Sequence, residues 1–228
     1  MNHLRAFLVK VSAVVTAPPV VVALAALAVL AIASPAAAQG PDPAISVRLF
    51  GLVSDQQFAA QDTFNASFGS ARGLFWGGGI EVVLPSGIFA DLGVSRFRKT
   101  GQRAFISGGQ AFGLGIPLTA TVTPIEVTAG YRLRLHGPVA PYIGLGVGSY
   151  SYQESSSFSD PGDSIDERNF GVLGVIGAEV RVRSWMSVSA DVQDTRITGI
   201  LGKGGLSQQA NEDDLGGVAV RFRIIIGR

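Results

Sequence analysis

The connections between strand-like segments of this 228-residue chain alternate strictly between long and short, and that alternation restricts the fold more than any other feature. Period-2 patterning, rich in Val, Ile, Thr, Phe and Tyr and dotted with Gly, predicts eight strands. They lie at about 44–53, 72–84, 88–98, 121–135, 141–152, 169–182, 186–196 and 215–227. A polar segment, 54–71, follows the first. The tight turn Pro85-Ser86-Gly87 follows the second, and a Gly-rich connection of about 99–120 the third. His136-Gly137-Pro138 opens a short turn, an acidic loop runs 153–168, Arg183-Ser184-Trp185 makes another tight turn, and the last connection is 197–214. In an up-and-down antiparallel sheet, alternate connections emerge at the same end. All four long connections therefore share one end, with the three short turns and both termini at the other. A sandwich has no reason to sort its loops this way.

The first 38 residues stand apart. Arg5 and Lys10 precede an apolar run broken by Pro18-Pro19, and 20–33 forms a compact apolar core. Ser34-Pro35 breaks it, and Ala36-Ala37-Ala38 before Gln39 fits the small-residue pattern read by signal peptidase. Residues 1–38 are thus expected to be a signal peptide cleaved between Ala38 and Gln39, and 39–228 the exported domain. Losing Arg5 and Lys10 from the 18 basic residues leaves 16 against 17 acidic ones. Near-neutral charge gives no footprint for nucleic acid. The absence of Cys excludes a disulfide scaffold, and 47% hydrophobic with 15% charged residues excludes general disorder. Beyond residue 38 no apolar run reaches the ~18 residues that a membrane helix needs. The exported chain crosses a membrane as strands or stays in solution outside the cytoplasm.

Strand parity separates an apolar face from a polar one. Ile125, Val127, Ala129, Tyr131 and Leu133 oppose Glu126, Thr128, Arg132 and Arg134, and Val188, Ala190 and Val192 oppose Ser187, Ser189, Asp191 and Gln193. Val180 and Val182 fall on the apolar side of the sixth strand, Val220 and Phe222 on that of the eighth. Parity alone leaves two arrangements open: an apolar lumen, as in a secreted carrier barrel, or an apolar exterior, as in a membrane barrel. Three features favour the second. The polar face carries Arg48, Arg132, Arg134, Arg181, Arg183, Arg221 and Arg223 with Glu81, Asp91, Glu126, Glu179 and Asp191, and no Lys. Buried ion pairs favour the planar guanidinium fork, whereas a wetted wall mixes in lysine freely. Gly77, Gly79, Gly93, Gly130, Gly144, Gly146, Gly148 and Gly177 lie on the polar face or its parity, where small residues suit a narrow lumen. The apolar stripes run about 9–11 residues without a charge, the span of a tilted strand across a bilayer. By the same parity Trp76, Phe170 and Tyr131 point outward, and Tyr142, Tyr150 and Tyr152 inward.

The segment Pro141-Tyr142-Ile143-Gly144-Leu145-Gly146-Val147-Gly148 resembles the fifth strand of small outer-membrane β-barrel proteins of the OmpA-barrel, OmpW and opacity type. The run 171–191, with Gly177-Ala178-Glu179 and Ser189-Ala190-Asp191 flanking a short turn, is similar to their sixth and seventh strands. The resemblance implies an all-β, eight-stranded antiparallel transmembrane barrel in the outer membrane of a Gram-negative-type bacterium. It implies outer-membrane lipid and lipopolysaccharide as surroundings, and delivery by the barrel assembly machinery. That machinery reads a terminal aromatic in such proteins, where this chain has Ile226-Gly227-Arg228 and its last aromatic is Phe222.

Candidate chemistry is sparse. His136, the sole histidine beyond the leader, sits in an expected turn with no strand Ser at a suggestive spacing, so it reads as a turn residue and no enzyme is expected. Gly77-Gly78-Gly79 and the Gly144–Gly148 run lack the following helix that a phosphate cradle needs. Asp160, Asp163, Asp166 and Glu167 in one long loop, with Glu212, Asp213 and Asp214 in another, do not match a calcium-loop spacing and read as solvated acids. No catalytic, cofactor or metal residues are expected. The expected function is structural or interactive, through the long external loops, with a narrow solute path or a carrier barrel for a hydrophobic ligand as alternatives.

Overall fold

The computed structural model describes residues 45–107, 110–133, 137–156, 165–203 and 205–227; of the two compact units 1–38 and 39–228, only the second contains them. Eight antiparallel strands close on themselves in sequence order: β1 (Ser46–Phe58), β2 (Arg72–Val83), β3 (Ile88–Ser107), β4 (Gln110–Arg132), β5 (Val139–Ser155), β6 (Ile165–Arg183), β7 (Met186–Arg196) and β8 (Gly217–Gly227). Closure runs from Arg48↔Gly227 to Phe58↔Gly217, so no sheet edge is left along the seam. The turn between β2 and β3 needs glycine at one place. Gly87 has φ +91°, a Cβ there would lie 2.6 Å from the Arg132 carbonyl oxygen, and the Gly87 carbonyl accepts the Arg132 N–H at 2.8 Å.

Several boundaries differ from expectation. The stretch 99–120 is not a loop: β3 and β4 run through it, paired from Lys99↔Ala120 to Ser107↔Gln110, with a register shift at Gln102/Ala104. Glycine and small residues lowered the strand signal there, but pairing along a long hairpin overrides weak propensity. Lys99 is accordingly a strand residue. In the first long connection β1 continues to Phe58, and a helix, α1 (Gln61–Phe68), follows; the last holds α2 (Gly205–Gln209).

Side-chain burial divides the wall as parity required. Val47, Leu49, Leu74, Leu92, Val127, Leu145, Val172 and Ile224 are exposed on the outside, and Leu145 retains 75% of its surface. On β7, Ser187, Ser189, Asp191, Gln193 and Thr195 are all buried inside. Val180 is an exception: its parity is outward yet it is buried, set between Val139 and Val188 on the two paired strands. The belt is edged by aromatics. Trp76 and Phe170 lie exposed toward the long connections, and Tyr131 and Trp185 toward the short turns, as rings that prefer a membrane–water boundary would.

Candidate functional site

The lumen has two layers, one ionic and one aromatic. The ionic layer begins near the short turns. Arg48 of β1 bonds Glu179 of β6 at 2.7 Å and also pairs with Glu81 of β2. Arg132 of β4 reaches the same two carboxylates, Glu81 at 2.8 Å and Glu179 at 2.9 Å. The result is a four-membered ring of alternating charge drawn from four strands. Glu81 is fully buried, and its pairing with two guanidinium groups offsets the cost of taking these charges out of water. The Arg132 guanidinium also lies over the Phe89 ring at 5.3 Å.

A second group sits further toward the long connections. Arg223 meets Asp91 at 3.1 Å, donates to Ser189 Oγ at 3.1 Å and to the Tyr142 hydroxyl oxygen at 2.9 Å. Tyr142 donates to Asp191 at 2.5 Å, and Arg221 binds the other Asp191 oxygen at 2.6 Å. Gln193 donates to Glu126 at 3.0 Å and accepts from Arg221. Tyr150 donates to Glu126 at 2.7 Å, while Arg221 stands 3.9 Å from that carboxylate. Arg223 lies 5.3 Å from the Phe50 ring centroid.

Of the residues singled out from sequence, Arg48, Glu81, Arg132 and Glu179 thus make up the first lumenal group, and Asp91, Glu126, Asp191, Arg221 and Arg223 belong to the second. Arg181 is half-buried near the short-turn end of β6. Arg183 is exposed, because the register shifts between Arg181 and Arg183 and turns it out of the lumen. Arg134, His136, Ala38 and Gln39 lie outside the described residues, as do Asp160 and Asp163. Parity had placed Tyr142, Tyr150 and Tyr152 inside, and all three are buried there.

The aromatic layer closes the end with the long connections. Phe58, Phe64, Phe75 and Phe97 pack together, Phe58 stacking on Phe64 at 4.0 Å and meeting Phe97 edge-on at 5.2 Å. Val122, Tyr150, Tyr152, Ile197, Ile200 and Leu215 complete the cluster. A Cβ at Gly73 would fall 2.6 Å from the Phe97 ring, so glycine there makes room for the stack. Several members come from connecting segments, where sequence periodicity carries no signal. The one legible hint was that Phe58, Phe64 and Phe68 are large apolar residues within a polar stretch.

The acidic residues of the external end are braces. The Glu212 carboxylate accepts the backbone N–H groups of Asp62 and Thr63, each at 2.9 Å, and so caps α1, whose own N-cap residue, Ala60, supplies no side-chain acceptor. Asp214 accepts from the Ile197 and Gly216 N–H groups at 2.8 Å, and Glu167 pairs with Lys203 at 2.7 Å. The expectation of solvated acids fails for these three. Glu212 and Glu167 find their partners in other segments, 149–150 and 36 positions away, whereas Asp214 braces its own connection. Lys99 donates to the Ser70 and Arg72 carbonyl oxygens at 3.1 and 3.2 Å, and desolvation lowers its amine below the ordinary lysine value.

A family model described as "Outer membrane protein beta-barrel domain" matches residues 23–222. No curated protein matches the chain. Among solved structures it is similar to Neisserial surface protein A (NspA), with 11% identity and a TM-score of 0.53 over 81% of this chain and 97% of that one. The N-terminal β-barrel domain of Pseudomonas aeruginosa OprF aligns with 11% identity over 80% and 97% of the two chains, TM-score 0.46. Ail of Yersinia pestis, crystallised with a heparin analogue, aligns with 12% identity over 80% and 95%, TM-score 0.44. At these identities the NspA likeness is one of fold.

Proposed function

Because the chain belongs to the outer membrane protein beta-barrel domain family, we propose that it is a sealed, non-enzymatic barrel of the outer membrane that acts through its external end. Outer-membrane location sets the polarity of the wall: acyl chains meet the apolar belt, and charges are confined to the lumen. The carrier-barrel alternative needs the reverse, an apolar lumen inside a polar wall.

The lumen filling is the observation that supports sealing. Eight strands leave room for side chains and little else. Here the ionic network occupies one part of the lumen and the aromatic cluster the other, with α1 packed beside β3. A solute would have to part several ion pairs and then displace Phe58, Phe64, Phe75 and Phe97. Planar-bilayer recording of the reconstituted protein is the test. The expected record is a closed baseline with no steady unitary conductance; regular channel openings would refute sealing.

Export belongs to the same proposal. Cleavage is expected between Ala38 and Gln39, and N-terminal sequencing of protein recovered from the outer-membrane fraction should begin at Gln39. Recovery with an intact leader would refute it. Folding by the barrel assembly machinery follows, and depletion of that machinery should leave the chain unfolded in the periplasm.

A further inference from the structure

Outside the barrel, above the apolar belt, one stretch of wall changes chemistry abruptly. On β3 the outward positions run Leu92, Val94, Arg96, Arg98, Thr100, so two hydrocarbon-facing residues give way to two guanidinium groups. Arg96 lies opposite Trp76, the exposed aromatic at this edge of the belt, in the β2–β3 register. Arg98 lies opposite Thr121, and Thr100 opposite Thr119, with their two hydroxyl oxygens 3.3 Å apart. Both arginines are exposed, and among the described residues neither meets a carboxylate. Every other outward arginine near this level on β2 and β7 has an acid nearby: Arg72 bonds Asp55 at 2.5 Å and Arg196 stands 4.0 Å from Asp194.

Same-face residues two apart on a strand are separated by roughly 7 Å. Two guanidinium forks at that spacing suit phosphate, which they bind through paired N–H donors. The hydroxyls above them suit a sugar. The site adjoins the lipid-contacting belt at the end with the long connections, which a barrel of this type turns outward. We propose that Arg96 and Arg98, with Thr121 beside them, form a binding site for the phosphorylated glycolipid headgroup of the outer leaflet. The acyl chains of that lipid run down past Trp76 and Leu92, its phosphate sits on the two arginines, and its sugar lies along the threonines of the β3–β4 hairpin. This rests on the membrane reading given above.

The test uses protein purified from membranes in detergent and titrated, by native mass spectrometry, with diphosphoryl lipid A, its dephosphorylated form, or phosphatidylglycerol. Diphosphoryl lipid A should bind about tenfold or more tightly than either other lipid, the ratio that one strong charge-assisted interaction supplies. Arg96→Gln with Arg98→Gln should abolish that advantage, the paired change to Lys should retain most of the charge attraction, and Arg168→Gln on β6 should leave it intact. Equal binding of the three lipids, or an unaltered preference in the double Gln variant, would overturn the site. Heat-modifiable gel mobility separates the two levels of claim. If each variant shifts as a folded barrel, a lost preference concerns this site alone; a wild-type chain that never enters the membrane fraction refutes the membrane reading and the site together.

Discussion

Glu81→Leu is expected to destabilise the barrel by about 3–5 kcal/mol, the range for removing one partner from a buried ion pair. Glu81 is fully buried and serves two guanidinium groups at once, those of Arg48 and Arg132. Without it, both depend on the single remaining carboxylate of Glu179. The charge excess has no escape, since Arg48 and Arg132 are themselves buried. Urea unfolding of the protein in lipid vesicles measures the loss. A second change, Arg48→Leu, made together with Glu81→Leu restores charge balance and should recover a substantial part of it. If the two losses instead add, as they do for sites without shared partners, the four-membered ring does not act as a unit. Glu126→Leu should cost less. That carboxylate is only half-buried, and its close partners are the neutral Tyr150 and Gln193.

Val127→Arg is expected to cost about 2–4 kcal/mol in the same assay, the penalty for an arginine on the lipid face near the bilayer midplane. Val127 lies on β4 between Leu92 of β3 and Val147 of β5, and all three point outward in the belt. The penalty depends on depth, so a series along β4 locates the membrane. Thr121→Arg, further toward the long connections, should cost close to nothing. A flat profile along the strand would mean that this wall does not meet hydrocarbon. In a wall facing water the same substitution would be almost free, so the experiment also decides between the membrane barrel and the carrier barrel.

These expectations draw on different levels of information. Strand number, up-and-down order and the grouping of long connections at one end were legible because each depends on local periodicity. Two-residue alternation is a property of the extended chain itself. The polarity of the wall was nearly legible. Seven arginines and no lysine on the polar face of the expected strands pointed to pairing inside a lumen, and Arg48, Arg132, Arg221 and Arg223 are placed there. The strand ends were read less well, most of all across 99–120, where glycine and alanine hide a paired hairpin.

What the sequence by itself determined about this protein is its list of strands and the two faces of each. Only the tertiary structure decided which charge meets which, and what fills the external mouth. Arg48 and Glu179 are 131 positions apart, and Glu212 caps a helix about 150 positions earlier. Such partners are chosen by barrel closure, which fixes strand register across the whole circumference. Phe58, Phe64 and Phe97 likewise meet only because the wall curves around them. Periodicity reports the direction in which a side chain points; closure sets what it finds there.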